Sequence, residues 1–304
     1  MKPEKLIFSS ILFPTESSQS NALLLADSIR TFAGSLAQTP IWFFVPEYGK
    51  QLSPEIKEKL VAMKVKLIQY EIDNEVLRFP FTADILATSL AESKASGQAD
   101  LLAWLGTNTI FLQEPSEFVL PDDKNFGYRP VHHTLVGSLY DKPLDRFWTL
   151  IYQYCKVPDD QIFPMTTHVD GNRIRPYFNA GLLVTRPEKY LLRSWQETFF
   201  QIYQKPELLE LYRQDERYAI FIHQAILSGV VLSTLPKNEI QELPSTYNYP
   251  LHLYSEDITN HRPSSLAELV TFRHEGFQDI TKWMKNLPTP EPLTQWFTKR
   301  LKGK

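Results

Sequence analysis

The sequence predicts an α/β fold: a mostly parallel central sheet with helices on both faces and an irregular C-terminal half. Three observations carry this expectation. Short apolar runs alternate with amphipathic stretches through the first third of the chain. Those stretches are long enough to serve as crossover helices between parallel strands. Beyond Pro115 the pattern breaks into prolines, aromatics and short apolar segments. No repeat, low-complexity tract or linker interrupts the 304 residues, so a single domain is expected.

Residues 6–13 read as the first strand, stopped by Pro14. Ser20 is placed as the cap of a helix with Leu24, Leu25, Ile29 and Phe32 inward and Gly34 at its end. "IWFFVP" follows as a buried strand. Ser53 and Pro54 open the next helix as cap and first-turn residue, with Ile56, Leu60 and Met63 inward. "VKLIQYEI" alternates as a strand, residues 81–95 form a third helix, and "DLLAWL" is a fourth strand. In a parallel sheet, ligands bind outside the carboxyl ends of the strands. The segments after Phe13, Val45 and Leu105 therefore line the expected cleft. Further helices are expected near residues 187–203 and 216–228, the second ending at Gly229. "ELPSTYNYPLHLY" reads as an aromatic loop or edge strand.

Composition narrows the function. The chain is 43% hydrophobic and 22% charged with a formal net charge of -3, which gives no basic face, and no nucleic-acid partner is expected. Cys155 stands alone, which excludes an intrachain disulfide and favours a reducing compartment. The opening "MKPEKLIFSSILFP" is broken by Ser9 and Ser10 and lacks a small-residue cleavage site, so it reads as a strand and not a signal peptide. No run approaches the ~20 apolar residues of a membrane span. A soluble, cytoplasmic protein is expected. Neither a glycine-rich phosphate loop nor a G-x-S-x-G elbow occurs. His132 and His133 are adjacent, and His168 and Asp170 lie in "THVDGNR". A hydrolytic zinc site needs three ligands and an open position, while neighbours on a strand point to opposite faces. The competing reading makes these histidines half-buried hydrogen-bonding groups near a cleft.

"LLAWLGTNTIFLQEP", beginning at Leu101, resembles the strand–turn–strand of GT-A-fold glycosyltransferases, where apolar residues lead into Asp-x-Asp. Gly106 and Asn108 hold the two acid positions, with Thr107 between them. "RPYFNAGLLVTRP" is similar to the aromatic–Asn–Ala–Gly segment of the same enzymes, nearest the glycogenin-like and bacterial galactosyltransferase branch. That match covers Tyr177, Phe178, Asn179, Ala180 and Gly181. "FIHQAIL" resembles the family's Asp-Gln helix, with His223 where the acid stands and Gln224 retained. "YNYP" and "FRHEGFQDITKW" resemble later motifs. The second keeps His274, Gly276, Lys282 and Trp283 without the family's proline or spacing. These elements come in the family's order from about residue 5 to 285.

The resemblance implies a GT-A-like (Rossmann-like) fold and a hexosyltransferase-like activity. It implies a nucleotide-diphospho-sugar donor and an acceptor that is a saccharide, a lipid or a protein. It divides the single domain into a nucleotide-binding half over about 1–125 and an acceptor-side half over about 126–285, with a basic tail at 286–304. In the family, Mn²⁺ or Mg²⁺ held by the two acids, and sometimes by the late histidine, stabilises the departing diphosphate. Here Asn108 offers one neutral oxygen, Thr107 a hydroxyl and Gly106 only backbone. A metal held through Asn108 and His274 is expected to be weak or absent. Arg173 and Arg175 precede the Asn-Ala-Gly segment, and a guanidinium binds phosphate oxygens in a bidentate fork. They are expected to neutralise the leaving group; otherwise they pair with Asp170 and Glu188 at the surface.

Thr15 matches the position that receives nucleobase or ribose, or is a loop hydroxyl. Gly106, Thr107, Asn108, Ala180, Gly181 and His274 complete the expected donor-binding set. Asn179 bonds donor or acceptor hydroxyls, or else the local backbone. His223 is a candidate base toward an acceptor hydroxyl, with Gln224 beside it, or is structural. The terminal "WFTKRLKGK" touches an anionic membrane or a polyanionic acceptor, or is a frayed basic tail. Two functional readings result: a transferase with a weak or absent metal requirement, and a catalytically inactive relative that binds a nucleotide-sugar or a protein partner.

Overall fold

Alternate residues of the first strand serve opposite faces, and both faces are apolar, so it belongs at the centre of a covered sheet. The computed structural model describes residues 5–47, 49, 51–276 and 287–301. In it, β1 (Leu6–Ile11) leads through α1 (Glu16–Phe32), β2 (Ile41–Glu47), α2 (Pro54–Ala62), β3 (Val65–Glu71) and α3 (Thr82–Ala95) to β4 (Leu101–Leu105). The alternation read from the sequence is present, with differences at the helix starts. Thr15, not Ser20, caps α1: its hydroxyl accepts the Ser18 N–H at 3.3 Å, while the Ser18 hydroxyl accepts the Phe13 N–H at 3.0 Å. The helix therefore begins as soon as Pro14 is passed, and Ser20 falls inside it. Ser53 precedes α2 without a side-chain capping bond; its own N–H is bound by the Gln19 side chain at 2.8 Å.

The second half continues with β5 (Thr109–Phe111), β6 (Phe126–Pro130), α4 (Arg146–Cys155), β7 (Met165–Thr166), β8 (Arg173–Ile174) and β9 (Phe178–Thr185). Then come α5 (Leu191–Ile202), α6 (Pro206–Gln214), α7 (Glu216–Thr234), β10 (Ile240–Glu242), β11 (Tyr249–Pro250), β12 (Thr271–Arg273) and α8 (Glu291–Leu301). Helix α7 passes through Gly229, where the sequence suggested an end. A Cβ at 229 would lie 2.5 Å from the Cys155 sulfur, so this glycine lets α4 and α7 approach.

Seven strands form the main sheet in the order β10-β6-β9-β4-β1-β2-β3. Every neighbouring pair is parallel except those made by β9, which runs antiparallel to both β4 and β6. This is the expected mostly parallel sheet. Ile7, Ile11, Trp42, Phe44, Leu102 and Trp104 face one core together with residues of α3, α4, α5 and α7. Leu6, Phe8, Phe43, Val45, Ala103 and Leu105 face the other, packed on α1 and α2. A three-stranded sheet, β11-β12-β5, lies beside it. Its third cluster includes Phe272, Leu293, Trp296 and Phe297, with Leu24 and Phe32 of α1 packed against it. Because β12 runs antiparallel to β5, with Arg273 opposite Thr109, the chain after β12 returns to the turn that follows β4. Among the described residues, no helix is long and apolar enough to cross a membrane.

Candidate active site at the carboxyl end of the sheet

The Gly106–Thr107–Asn108 turn sits where β4 ends, between β9 on one side and β12 on the other. The Gly106 N–H donates to the Gly181 carbonyl at 2.8 Å, and the Thr109 N–H donates to the Gly106 carbonyl at 3.0 Å. Asn108 ties the turn to β12: its side-chain N–H donates to the His274 carbonyl at 2.8 Å, and the His274 N–H donates to the Asn108 carbonyl at 3.1 Å. That leaves the Asn108 Oδ1 toward Arg273, whose Nε lies 3.3 Å away.

Arg273 is the centre of the constellation. Its Nη1 reaches the Asn179 Oδ1 at 3.5 Å. The same oxygen accepts the Gly181 N–H at 2.8 Å. A Cβ on Gly181 would meet Nη1 at 2.4 Å, so the glycine is what lets the guanidinium lie against β9. Asp84, in the first turn of α3, lies within electrostatic reach. Burial pushes its carboxyl up to about 7, although the Arg273 charge pulls the other way. His132, His168 and His252 gather on the far side of Asn179. The His132 Nε2 is 3.3 Å from the Asn179 side-chain nitrogen, and its ring lies 6.1 Å from His168 and 6.3 Å from His252. Burial, then the charge of Arg273, holds His132 well below the usual imidazole range. Burial and the Arg129 charge bring His168 down to about 3.

The other predicted residues fall into two groups. Asn179, Ala180, Gly181 and Gln224 form one continuous piece. The Ala180 N–H donates to the Gln224 Oε1 at 2.9 Å, tying β9 to α7. His223, one residue earlier, is buried, stacks on Phe81 at 4.2 Å and donates through Nδ1 to the Ile220 carbonyl at 2.9 Å. Burial depresses it to about 3, which makes it a weak base at neutral pH. His274 is also buried and depressed to about 3, first by burial and then by Arg273. Thr15 caps α1.

Arg173 and Arg175 are engaged elsewhere. Arg173 pairs with Asp141 at 2.6 Å and lies over Tyr140, while Arg175 donates to the Ser138 hydroxyl at 2.9 Å and the Lys142 carbonyl at 2.7 Å. Among the described residues, no hydrogen bond or ion pair joins either to the Gly-Thr-Asn turn. His133 is separated from His132 and faces Glu256 at 3.7 Å. Asp170 accepts from the Thr134 N–H at 2.9 Å and from the Thr167 hydroxyl. Lys282 and Trp283 lie outside the described residues.

A family model described as the Rhodobacterales glycosyltransferase domain matches residues 11–232. The chain belongs to that family. Among solved structures, that of the galactosyltransferase LgtC, in complex with donor and acceptor sugar analogues, is similar at 14% identity and a TM-score of 0.48. That likeness covers 96% of this chain and 99% of the other. No curated protein matches.

In this member of the family, the turn does not fit a divalent ion. Hard cations take several oxygen ligands, carboxylates foremost. Here Gly106 supplies none, and the Asn108 oxygen already faces a guanidinium. Among the described residues, no group of three or more His, Cys, Asp or Glu is placed to hold a metal. That also leaves the hydrolytic zinc reading of His132, His133, His168 and Asp170 without a ligand set among the described residues. Two residues of the site escaped the sequence reading. Arg273 immediately precedes the histidine that the late motif singled out, and Asp84 sits in an otherwise apolar helix start.

Proposed function

We propose that this chain transfers a sugar from a nucleotide-diphospho-sugar to an acceptor hydroxyl, with a weak or absent metal requirement. One observation carries the reading: the turn after β4, the Asn179–Gly181 segment and Arg273 converge at the carboxyl end of a parallel sheet, where such folds bind ligands. The diphosphate meets the turn and Arg273, Asn179 faces the donor sugar, and the acceptor, a saccharide, lipid or protein, enters from the side of α7. The donor site draws on both halves of the chain, since Asn108 precedes residue 125 while Asn179 and Arg273 follow it.

A second reading, a nucleotide-sugar-binding relative without transfer activity, is favoured by His223 standing buried beside Gln224 where the family carries an acid. Calorimetric titration with UDP- and GDP-sugars, with and without Mn²⁺, tests both. Binding followed by release of free nucleoside diphosphate supports transfer or hydrolysis; binding with the donor recovered intact supports the second reading. If none of these donors binds under either condition, both fall.

A further inference from the structure

No group in contact with Arg273 carries a charge opposite to its own among the described residues. Its two side-chain neighbours, the Asn108 and Asn179 oxygens, are neutral and do not discharge it. Among the described residues no carboxylate is in ion-pair contact with it, Glu275 and Asp84 acting only at longer range. The neighbouring tautomers follow from their partners. Arg129 has only donors, and its Nη2 lies 2.6 Å from the His168 Nδ1, so that nitrogen accepts and the proton sits on Nε2. The Asn179 Oδ1 receives both the Gly181 N–H and Arg273, so its amide nitrogen is what faces the His132 Nε2. The His132 proton therefore sits on Nδ1. The His132 Nδ1–H, the His168 Nε2–H and the Arg129 Nε–H are all buried, and none has a hydrogen-bond partner among the described residues. Buried donors in native folds are paired with rare exceptions, and three left over together call for an acceptor.

An uncompensated guanidinium among surplus N–H donors is an environment for an anion. A divalent cation placed there would meet a like charge and no carboxylate. We propose, on the nucleotide-sugar reading above, that Arg273 takes the metal's place in this chain and binds the donor's diphosphate directly. Gly181 gives it room, and Asn108 and Asn179 orient it. A guanidinium serves this role because its fork matches two phosphate oxygens and its charge does not titrate near neutrality.

The test uses inorganic pyrophosphate, UDP and GDP, titrated calorimetrically in EDTA into the full chain, Arg273→Met and Arg273→Lys. Folding of each variant is checked by near-ultraviolet circular dichroism and melting. Pyrophosphate and at least one nucleotide should bind the parent chain in chelator, more weakly as NaCl rises. Arg273→Met should lose about tenfold or more in affinity, the scale of charged hydrogen bonds, and Arg273→Lys should lose less. Binding that appears only once Mn²⁺ is added overturns the proposal, as does unchanged affinity in folded Arg273→Met. If Arg273→Met does not fold, parent-chain binding that is indifferent to NaCl overturns it instead. Pyrophosphate binding in chelator without nucleotide binding would leave the anion site standing and remove the nucleotide-sugar reading. UDP binding that needs Mn²⁺ would do the reverse.

Discussion

Asp84, half-buried in the first turn of α3, shows how one carboxyl reports on the site. Its carboxyl is pushed up to about 7, so the folded chain holds a proton that the unfolded chain releases near pH 4. Between those values the folded state binds more protons, and this group's contribution to stability falls as pH rises, by up to about 4 kcal/mol. The depressed histidines act in the opposite sense. His168, His223 and His274, each near 3, stay neutral in the fold while the unfolded chain protonates below about 6.5, so they cost stability as pH falls. The clean observable is a difference. The melting temperature of Asp84→Asn relative to the parent should rise between pH 5 and pH 8, and a difference that stays constant with pH would show that Asp84 ionises normally. At this scale the site was half legible. Gly106, Asn108, Asn179 and Gly181 lie in contiguous strings that carry a motif by themselves. Arg273 meets Asn108 across 165 residues of sequence, and no local pattern announces such a pairing.

Elements meet through a few specific devices. Glu92 of α3, buried, accepts the Leu192 and Arg193 N–H groups at 3.0 and 2.9 Å, capping α5 from another helix while Tyr190 turns the chain at φ 59°. Gly229 lets α7 press on Cys155 of α4. Gly229→Ala would force the two helices apart, and an urea-unfolding loss of about 1–3 kcal/mol is expected. Cys155→Ala should recover part of that loss when combined with it. A Gly229→Ala variant as stable as the parent would mean that the helices shift freely at this contact. The strands and helices of the first third were readable because short apolar runs, bounded by proline or polar residues, alternate with longer amphipathic stretches. Helices α4 and α6 were not: α4 is a ten-residue, aromatic-rich segment amid prolines, started by the Asp145 side chain on the Trp148 N–H, and α6 is only nine residues behind Pro206. The end of α7 was misjudged because a glycine required by packing carries the same letter as one that terminates a helix.

In the whole molecule, the three-stranded sheet hangs the site on a second layer. Strand β12 delivers Arg273, its neighbour Phe272 packs in the cluster with Trp296 and Phe297, and α8 is tied back to α1 by Arg300 on Asp27 at 2.9 Å. Trp296 also meets Phe32 edge-on at 5.5 Å. Trp296→Ala should therefore cost about 3–5 kcal/mol. If α8 backs β12 as the packing indicates, the same change should weaken pyrophosphate binding several-fold at a temperature where the variant remains folded. A lowered melting temperature with unaltered affinity would show that the guanidinium is positioned without this cover. The sheet architecture was legible from strand–helix alternation, whereas the antiparallel return of β12 onto β5 was not, because three-residue strands leave no periodic trace.

The contact between Arg273 and Asn108 also constrains what residue 108 can become. A carboxylate introduced at residue 108 would appear beside Nε and be captured as an ion pair, giving neither a cation site nor a free guanidinium. A cation site at this turn would therefore need both residue 108 and Arg273 to change, since either change alone leaves the other in the way.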